Sequence, residues 1–180
     1  MQREIVVPET EPPTEWILGR AVQKVSPKRR HGFIQVWLGS RLQQWAQDRG
    51  AVSSEWTFRL APPRELIRTF VPDIAYLSLE RIGDTDEEDV EAFVGAPDVA
   101  VEILSPDDKP AHVRHKTGVY LAAGTDAVVI VDPYARTVAV YDAHGGVRSF
   151  VHGDRFEHPA LPGFAFDVGE MFDMMRLRKK

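Results

Sequence analysis

The sequence predicts a mixed α/β layer protein built as one domain around a helix-strand-strand-strand-helix-strand core. Three observations carry this. Two segments place apolar residues at helical spacing, short β-branched runs lie between and after them, and Gly and Pro punctuate their borders. With 180 residues, 43% hydrophobic and 27% charged, the chain is long enough to bury one proper core.

Residues 1–14, rich in Pro, Glu and Thr, read as an irregular lead-in, and residues 15–180 as the single domain. Residues 16–18 and 21–25 make a short hairpin that turns at Gly19. Ser26-Pro27 supplies a cap and a first-turn proline, and Ile34, Trp37, Leu38, Leu42 and Trp45 follow on one helical face until Gly50 ends the run. The four tryptophans, Trp16, Trp37, Trp45 and Trp56, are better suited to a core than to base stacking. Core strands are expected at 56–60, 70–77 and 98–104, with residues 84–91 as a solvated connection because they hold six of the 27 acids and no base. After Ser105-Pro106, Asp107 or Asp108 can cap a helix that runs to about Ala123 and stops at Gly124. Strands at 127–131 and 137–141 follow, and the turn at 142–146 leads into another at 147–151. An extended tail at 161–166 precedes a short helix at 168–175.

The net charge of −5 is unevenly spread. Without residues 84–91, 21 acids face 22 bases, so a nucleic-acid partner is compatible with the rest of the chain. Lys28, Arg29, Arg30, Lys109 and Arg114 are the candidate contacts to a nucleic-acid backbone. No apolar run approaches the roughly 18 residues of a membrane span, and the start Met1-Gln2-Arg3-Glu4 lacks a signal peptide's apolar core, so a cytoplasmic protein without a membrane partner is expected. The absence of cysteine restricts any metal to oxygen or imidazole ligands, and oxygen favours magnesium, manganese or calcium.

The chemistry starts from Glu102, an acid inside the apolar run Val99-Ala100-Val101-Glu102-Ile103-Leu104. An ionised carboxylate buried there has to neutralise, bind a cation or pair with a base. Asp73 stands in a similar stretch, and if the two strands pair at ~4.8 Å, one ion can sit between the acids. Asp98 shares a strand face with Glu102 but lies ~13 Å along it, so it suits a local turn hydrogen bond better than a shared ion. On the second helix Val113, Lys116 and Tyr120 fall on one inward face, where a lysine either snorkels or serves a site. Beside metal-bound carboxylates, its ammonium could orient or activate a water. Gln35 and His31, one turn apart on the first helix, could face the same cleft or simply pack there. His112 and His115 have metal-compatible spacing but no third ligand placed by sequence, and there is no nucleophile elbow, phosphate loop or dinucleotide fingerprint.

Pro72-Asp73 followed by Glu102 within this element order resembles the PD-(D/E)XK nuclease superfamily, although Leu104 stands where that superfamily usually has its lysine. Closer similarity is to the restriction-endonuclease-like Uma-two family, in which the lysine moves to the following helix. The matching stretches are Gly19, Val25-Ser26-Pro27, His31-Gly32, Pro72-Asp73, Pro97 through Pro106, Lys116, Tyr120, Ala123-Gly124, Val131-Asp132-Pro133 and Leu161-Pro162-Gly163. The family is commonly acidic at the positions of Arg20 and His112 and has Ser-Thr where Asp107-Asp108 stand here. The resemblance implies a restriction-endonuclease-like core and a DNA endonuclease dependent on Mg2+ or Mn2+. Asp73, Glu102 and the Ile103 backbone carbonyl would hold the ion, Lys116 would be the catalytic lysine, and Gln35, His31 and Tyr120 would be accessory. Cutting both strands of a duplex needs two active sites, which a homodimer would supply. The competing expectation is a catalytically inactive DNA-binding or protein-interaction module with the same fold.

Overall fold

The structure is a computed structural model and describes residues 3–176. Its centre is a six-stranded sheet built from β3 (Gly50–Ser54), β6 (Ile74–Ser78), β8 (Val99–Ile103), β9 (Ala127–Asp132), β10 (Thr137–Asp142) and β11 (Val147–Phe150), in the order β11-β10-β9-β8-β6-β3. Before and between these strands run the hairpin β1 (Thr14–Ile17) and β2 (Arg20–Gln23), the helix α1 (Arg29–Ala46), and the strands β4 (Thr57–Leu60) and β5 (Arg68–Phe70). The short helices α2 (Leu79–Ile82) and α3 (Glu87–Glu91) precede β7 (Ala92–Val94), and α4 (Pro110–Ala122) follows β8. The chain closes with β12 (Arg155–Glu157), β13 (Ala165–Asp167) and α5 (Val168–Met174).

Within the central sheet β8 and β9 run parallel and the other neighbours antiparallel. A parallel pair needs a crossover, and α4 is that crossover. Strand alternation then sorts the core into two sides. Ile74, Tyr76, Val99, Val101 and Val129 pack with Ile34, Leu38 and Leu42 of α1 and with Phe166 and Phe172 near the C-terminus. Ala75, Leu77, Ala100 and Val128 pack with Val119 and Tyr120 of α4 and with Phe58 and Phe70 of a small sheet ordered β5-β4-β7. The mixed α/β architecture and the two core helices therefore match expectation, and the tryptophans Trp37 and Trp56 are buried.

Several local features differ. The first core strand is β3, whereas 56–60 was expected; Glu55 takes a positive φ of 52°, which turns the chain out of the central sheet and sends β4 to pair with β5 and β7. The helix α1 begins at Arg29 with Lys28 extended at its cap position, so Ser26 does not cap it. Neither Asp107 nor Asp108 caps α4; Asp108 accepts from Ser105 N at 2.7 Å, and Pro110 opens the helix instead. Asp98 holds distant groups, accepting from Ser78 N at 2.7 Å and pairing with Arg81 Nε at 3.0 Å. The acidic run contains α3, pinned where Trp56 Nε1 donates to Val90 O at 2.8 Å. The lead-in also makes contacts, since Ile5 N donates to Ile67 O and Ile67 N to Arg3 O, both at 2.8 Å. The strand β12, which the sequence left unassigned, pairs with β13 at the end of the expected extended tail.

Gly50 is the first residue of β3 and not a helix stop, because α1 already ends at Ala46. A Cβ at Gly50 would lie 2.2 Å from Leu77 O and 2.8 Å from Ser78 Cα, both backbone atoms of the paired strand. Gly50→Ala should therefore destabilise the fold by about 1–3 kcal/mol, the usual cost of overpacking. Thermal unfolding is the check, and an unchanged midpoint would show that β3 does not sit this close to β6.

Candidate active site

Pairing of β6 with β8 sets Ile74 opposite Val101, so Asp73, one residue earlier, continues the register opposite Glu102. The Ile103 N–H donates to Asp73 Oδ2 at 2.6 Å and fixes the carboxylate at the sheet. Glu102 projects to the side of Ala100, toward α4, as strand alternation requires. Both acids border one cavity of about 390 Å³, whose wall also includes Lys24, His31, Ile103 and Lys116.

Lys116 reaches Glu102 from α4. Its Nζ lies 2.7 Å from Glu102 Oε1 and 2.8 Å from Oε2, and 2.9 Å from Glu15 Oε2 on β1. Tyr120, one turn further along α4, donates its hydroxyl to Glu102 Oε1 at 3.1 Å. Glu15 is anchored in turn by the Val71 N–H at 2.8 Å. Sequence spacing had placed Lys116 on the inward face, and it is buried there rather than snorkelling.

A second lysine, Lys24, closes the other half of the cluster. Its Nζ lies 2.7 Å from Asp73 Oδ1 and 3.0 Å from Glu55 Oε2, and donates to Val71 O at 2.9 Å. His31 Nε2 stands 3.6 Å from Asp73 Oδ1. Gln35 Nε2 donates to Glu55 Oε1 at 3.1 Å and to Asp73 O at 3.0 Å. His31 and Gln35 thus join this cluster from α1.

Glu15, Lys24 and Glu55 were missed in the sequence. Glu15 follows Pro12-Pro13-Thr14 and precedes the strand expected at 16–18, so no apolar run surrounded it; in the structure it lies within β1 and is 2% exposed. Lys24 follows a hairpin strand with an exposed pattern, and Glu55 sits in the left-handed turn before β4, so neither had a periodicity to betray it.

Four carboxylates, Glu15, Glu55, Asp73 and Glu102, meet two ammonium groups here, an excess of two negative charges when all are ionised. Burial pushes Glu102 up to about 7; Lys116 opposes this, and the Asp73 and Glu15 charges add to it. Asp73 is shifted the other way, because Lys24, His31 and Lys116 outweigh its burial and hold its pKa below the usual carboxylate value. Burial works against the charge on both lysines, yet the surrounding carboxylates raise their pKa above the usual lysine value. The Tyr120 hydroxyl is pushed well up by burial and by Glu102, so it remains a donor.

Ligand atoms of His31, Glu55 and Asp73 all lie within 4.8 Å of one another. Oxygen and imidazole donors with an excess of two negative charges fit a hard divalent cation such as Mg2+ or Mn2+. Glu102 faces the same cavity but is engaged by Lys116.

The expected backbone contacts divide into groups. Lys28 pairs with Asp107 at 3.2 Å and Lys109 lines the cavity, whereas Arg114 is exposed on α4. Arg29 donates to Met175 O at 3.2 Å, and Arg30 lies over the Tyr134 ring at 5.0 Å, both beside a second cavity. At the mouth of the first cavity, Arg20 Nη2 and His112 Nε2 are 3.2 Å apart.

Among the described residues no helix is long and apolar enough to cross a membrane. No curated protein is detectably similar to the chain. The fold is similar to a crystal structure of a "putative nuclease belonging to DUF820" from Anabaena variabilis ATCC 29413, with a TM-score of 0.82 and 26% identity over 94% of this chain and 95% of that one. Residues 3–169 match the family model Uma2, described as "Putative restriction endonuclease", a span that reaches from the lead-in into α5. That span covers the strands β1, β2 and β8 and the helices α1 and α4 that line the cavity, and the chain belongs to the Uma2 family.

Proposed function

We propose that the cavity is the active site of a metal-dependent endonuclease that hydrolyses DNA phosphodiester bonds. The observation that carries this is a cluster in which four carboxylates, three of them enclosed and Glu55 exposed at the edge, outnumber two ammonium groups, in a fold shared with a putative nuclease. Asp73 and Glu102 would hold Mg2+ or Mn2+, with the Ile103 carbonyl as a third ligand and with His31 or Glu55 close enough to Asp73 to join them. When bound, the ion supplies charge stabilisation for the phosphodiester transition state.

Lys116 stays protonated because Glu102 and Glu15 outweigh its burial, so its role is to donate and to stabilise charge, not to act as a base. Tyr120 and Lys116 together fix the orientation of Glu102. Lys24 holds Asp73 in the arrangement described and would yield some of that contact to an incoming cation. A homodimer would supply the two sites needed for both strands.

One observation favours the non-catalytic module: the two ammonium groups already pair with all four carboxylates. A manganese titration separates the two functions. A catalytic site binds the ion and loses that affinity in Glu102→Ala, whereas a structural cluster binds none.

Affinity should also depend on pH. Glu102 is raised to about 7, so below that value a proton occupies the carboxylate and competes with the ion. Manganese affinity should fall by up to about tenfold per pH unit below neutrality and level off above it. An affinity that stayed flat through neutrality would exclude Glu102 as a ligand that titrates on binding.

Lys116→Met should abolish DNA cleavage in the presence of manganese while manganese affinity holds or rises, since a competing positive charge is gone. It also leaves Glu15 and Glu102 without their cation, which costs about 3–5 kcal/mol for a buried pair broken on one side. Adding Glu15→Gln should restore part of that stability without restoring cleavage. Retention of cleavage in a folded Lys116→Met protein would remove the lysine from the mechanism.

A further inference from the structure

The second cavity lies on the far side of the N-terminus of α1 from the candidate active site. It has a volume of about 470 Å³ and is walled by Arg29, Arg30, Arg136 and Arg176, with Tyr134 and Phe172 among the apolar residues of its lining. Its position follows from the sheet. Strands β8 and β9 run parallel with Glu102 beside Ile130, and Leu104 N donates to Val131 O at 2.8 Å, so their C-terminal ends emerge side by side. The chain after β8 lines the first cavity, and Pro133-Tyr134 after β9 lines the second. On α1, His31 faces the first cavity, while Arg29 and Arg30 face the second.

The charges here are weakly compensated. Asp173 is the carboxylate that meets the arginines, 2.6 Å from Arg136 Nη2 and 3.6 Å from Arg176 Nε, and it also contacts His152 at 3.2 Å. Arg29 spends its guanidinium on the Met175 carbonyl, and Arg30 rests on the Tyr134 ring, which is 44% exposed. Arg136 Nε is buried with no hydrogen-bond partner among the described residues. Guanidinium groups match phosphate oxygens, and an exposed aromatic ring beside them suits a sugar or base.

We propose that this cleft is a nucleic-acid backbone site that holds phosphates of the same strand whose scissile bond lies in the neighbouring cavity. This rests on the nuclease function proposed above. The two cavities have separate walls but are lined by the segments that leave the adjacent ends of β8 and β9, and an aromatic ring stands among the arginines of the second; an extended polyanion with sugar or base faces fits that arrangement better than an acidic peptide does.

The test is binding of a short labelled DNA duplex in the presence of a chelator, across a series of salt concentrations. Arg30 and Arg176 are exposed, so the double variant R30Q/R176Q should fold. It is compared with R148Q/R155Q, which removes the same charge from exposed positions on β11 and β12. R30Q/R176Q should weaken binding at least tenfold at low salt and flatten the salt dependence by about 0.9 for each phosphate that is no longer neutralised. The control pair should do neither. An unchanged affinity and slope, or an equal loss in both variants, would overturn the proposal, as would a wild-type protein that binds polyglutamate through these arginines and no DNA. Normal DNA binding with no cleavage in manganese would count against the nuclease function alone and leave the backbone site standing.

Discussion

The cost of an ionised carboxylate away from water governs this structure. Glu15 and Asp73 are almost completely enclosed, and Glu102 is nearly so. None could stay charged there without a cation or donors close by. The partners come from elements far apart in the chain: Lys116 from α4, Lys24 from the end of the hairpin, and backbone N–H groups at Val71 and Ile103. The cluster therefore ties hairpin, sheet and crossover helix together at one point. A buried ion network seldom adds net stability over an apolar core, so its presence argues for a site more than for a scaffold.

The sheet determines where that point falls. One parallel junction, β8 with β9, forces a crossover, and α4 packs back across the same face that Glu102 occupies. A lysine on the inward side of α4 then arrives beside Glu102 although fourteen residues separate them in sequence. This geometry explains how a lysine carried by the helix can serve the acid when Leu104 stands on the strand in its place.

Much of this was legible before the structure. The amphipathic pattern of α1, the apolar strand β8 with its single acid, and the inward position of Lys116 all came from periodicity, and all three appear in the fold. The pairing of β6 with β8 was the condition under which the two acids could share a site, and the structure contains it. What stayed hidden depends on contacts that no local pattern encodes. The left-handed turn at Glu55 decides that β3, not β4, flanks β6, and the same turn delivers Glu55 to Lys24. Lys24 lies in a hairpin whose strand is largely exposed, so its burial comes from the sheet it folds against. Helix starts were missed where the sequence offered a side-chain cap, because both α1 and α4 begin at lysines whose side chains do not cap.

The same electrostatics explains why the cluster is poised rather than finished. Burial first, and the Asp73 and Glu15 charges after it, lift Glu102 to about 7 against the opposing pull of Lys116. Its neighbour Asp73, held by Lys24 and His31, is pushed in the opposite direction. Two acids with opposite displacements in one cavity differ in charge state around neutral pH: Asp73 stays ionised, while Glu102 is divided between its protonated and ionised forms. Lys24 contacts the ionised acid and Lys116 the one that titrates near neutrality, and backbone N–H groups of Val71 and Ile103 fix Glu15 and Asp73 beside them.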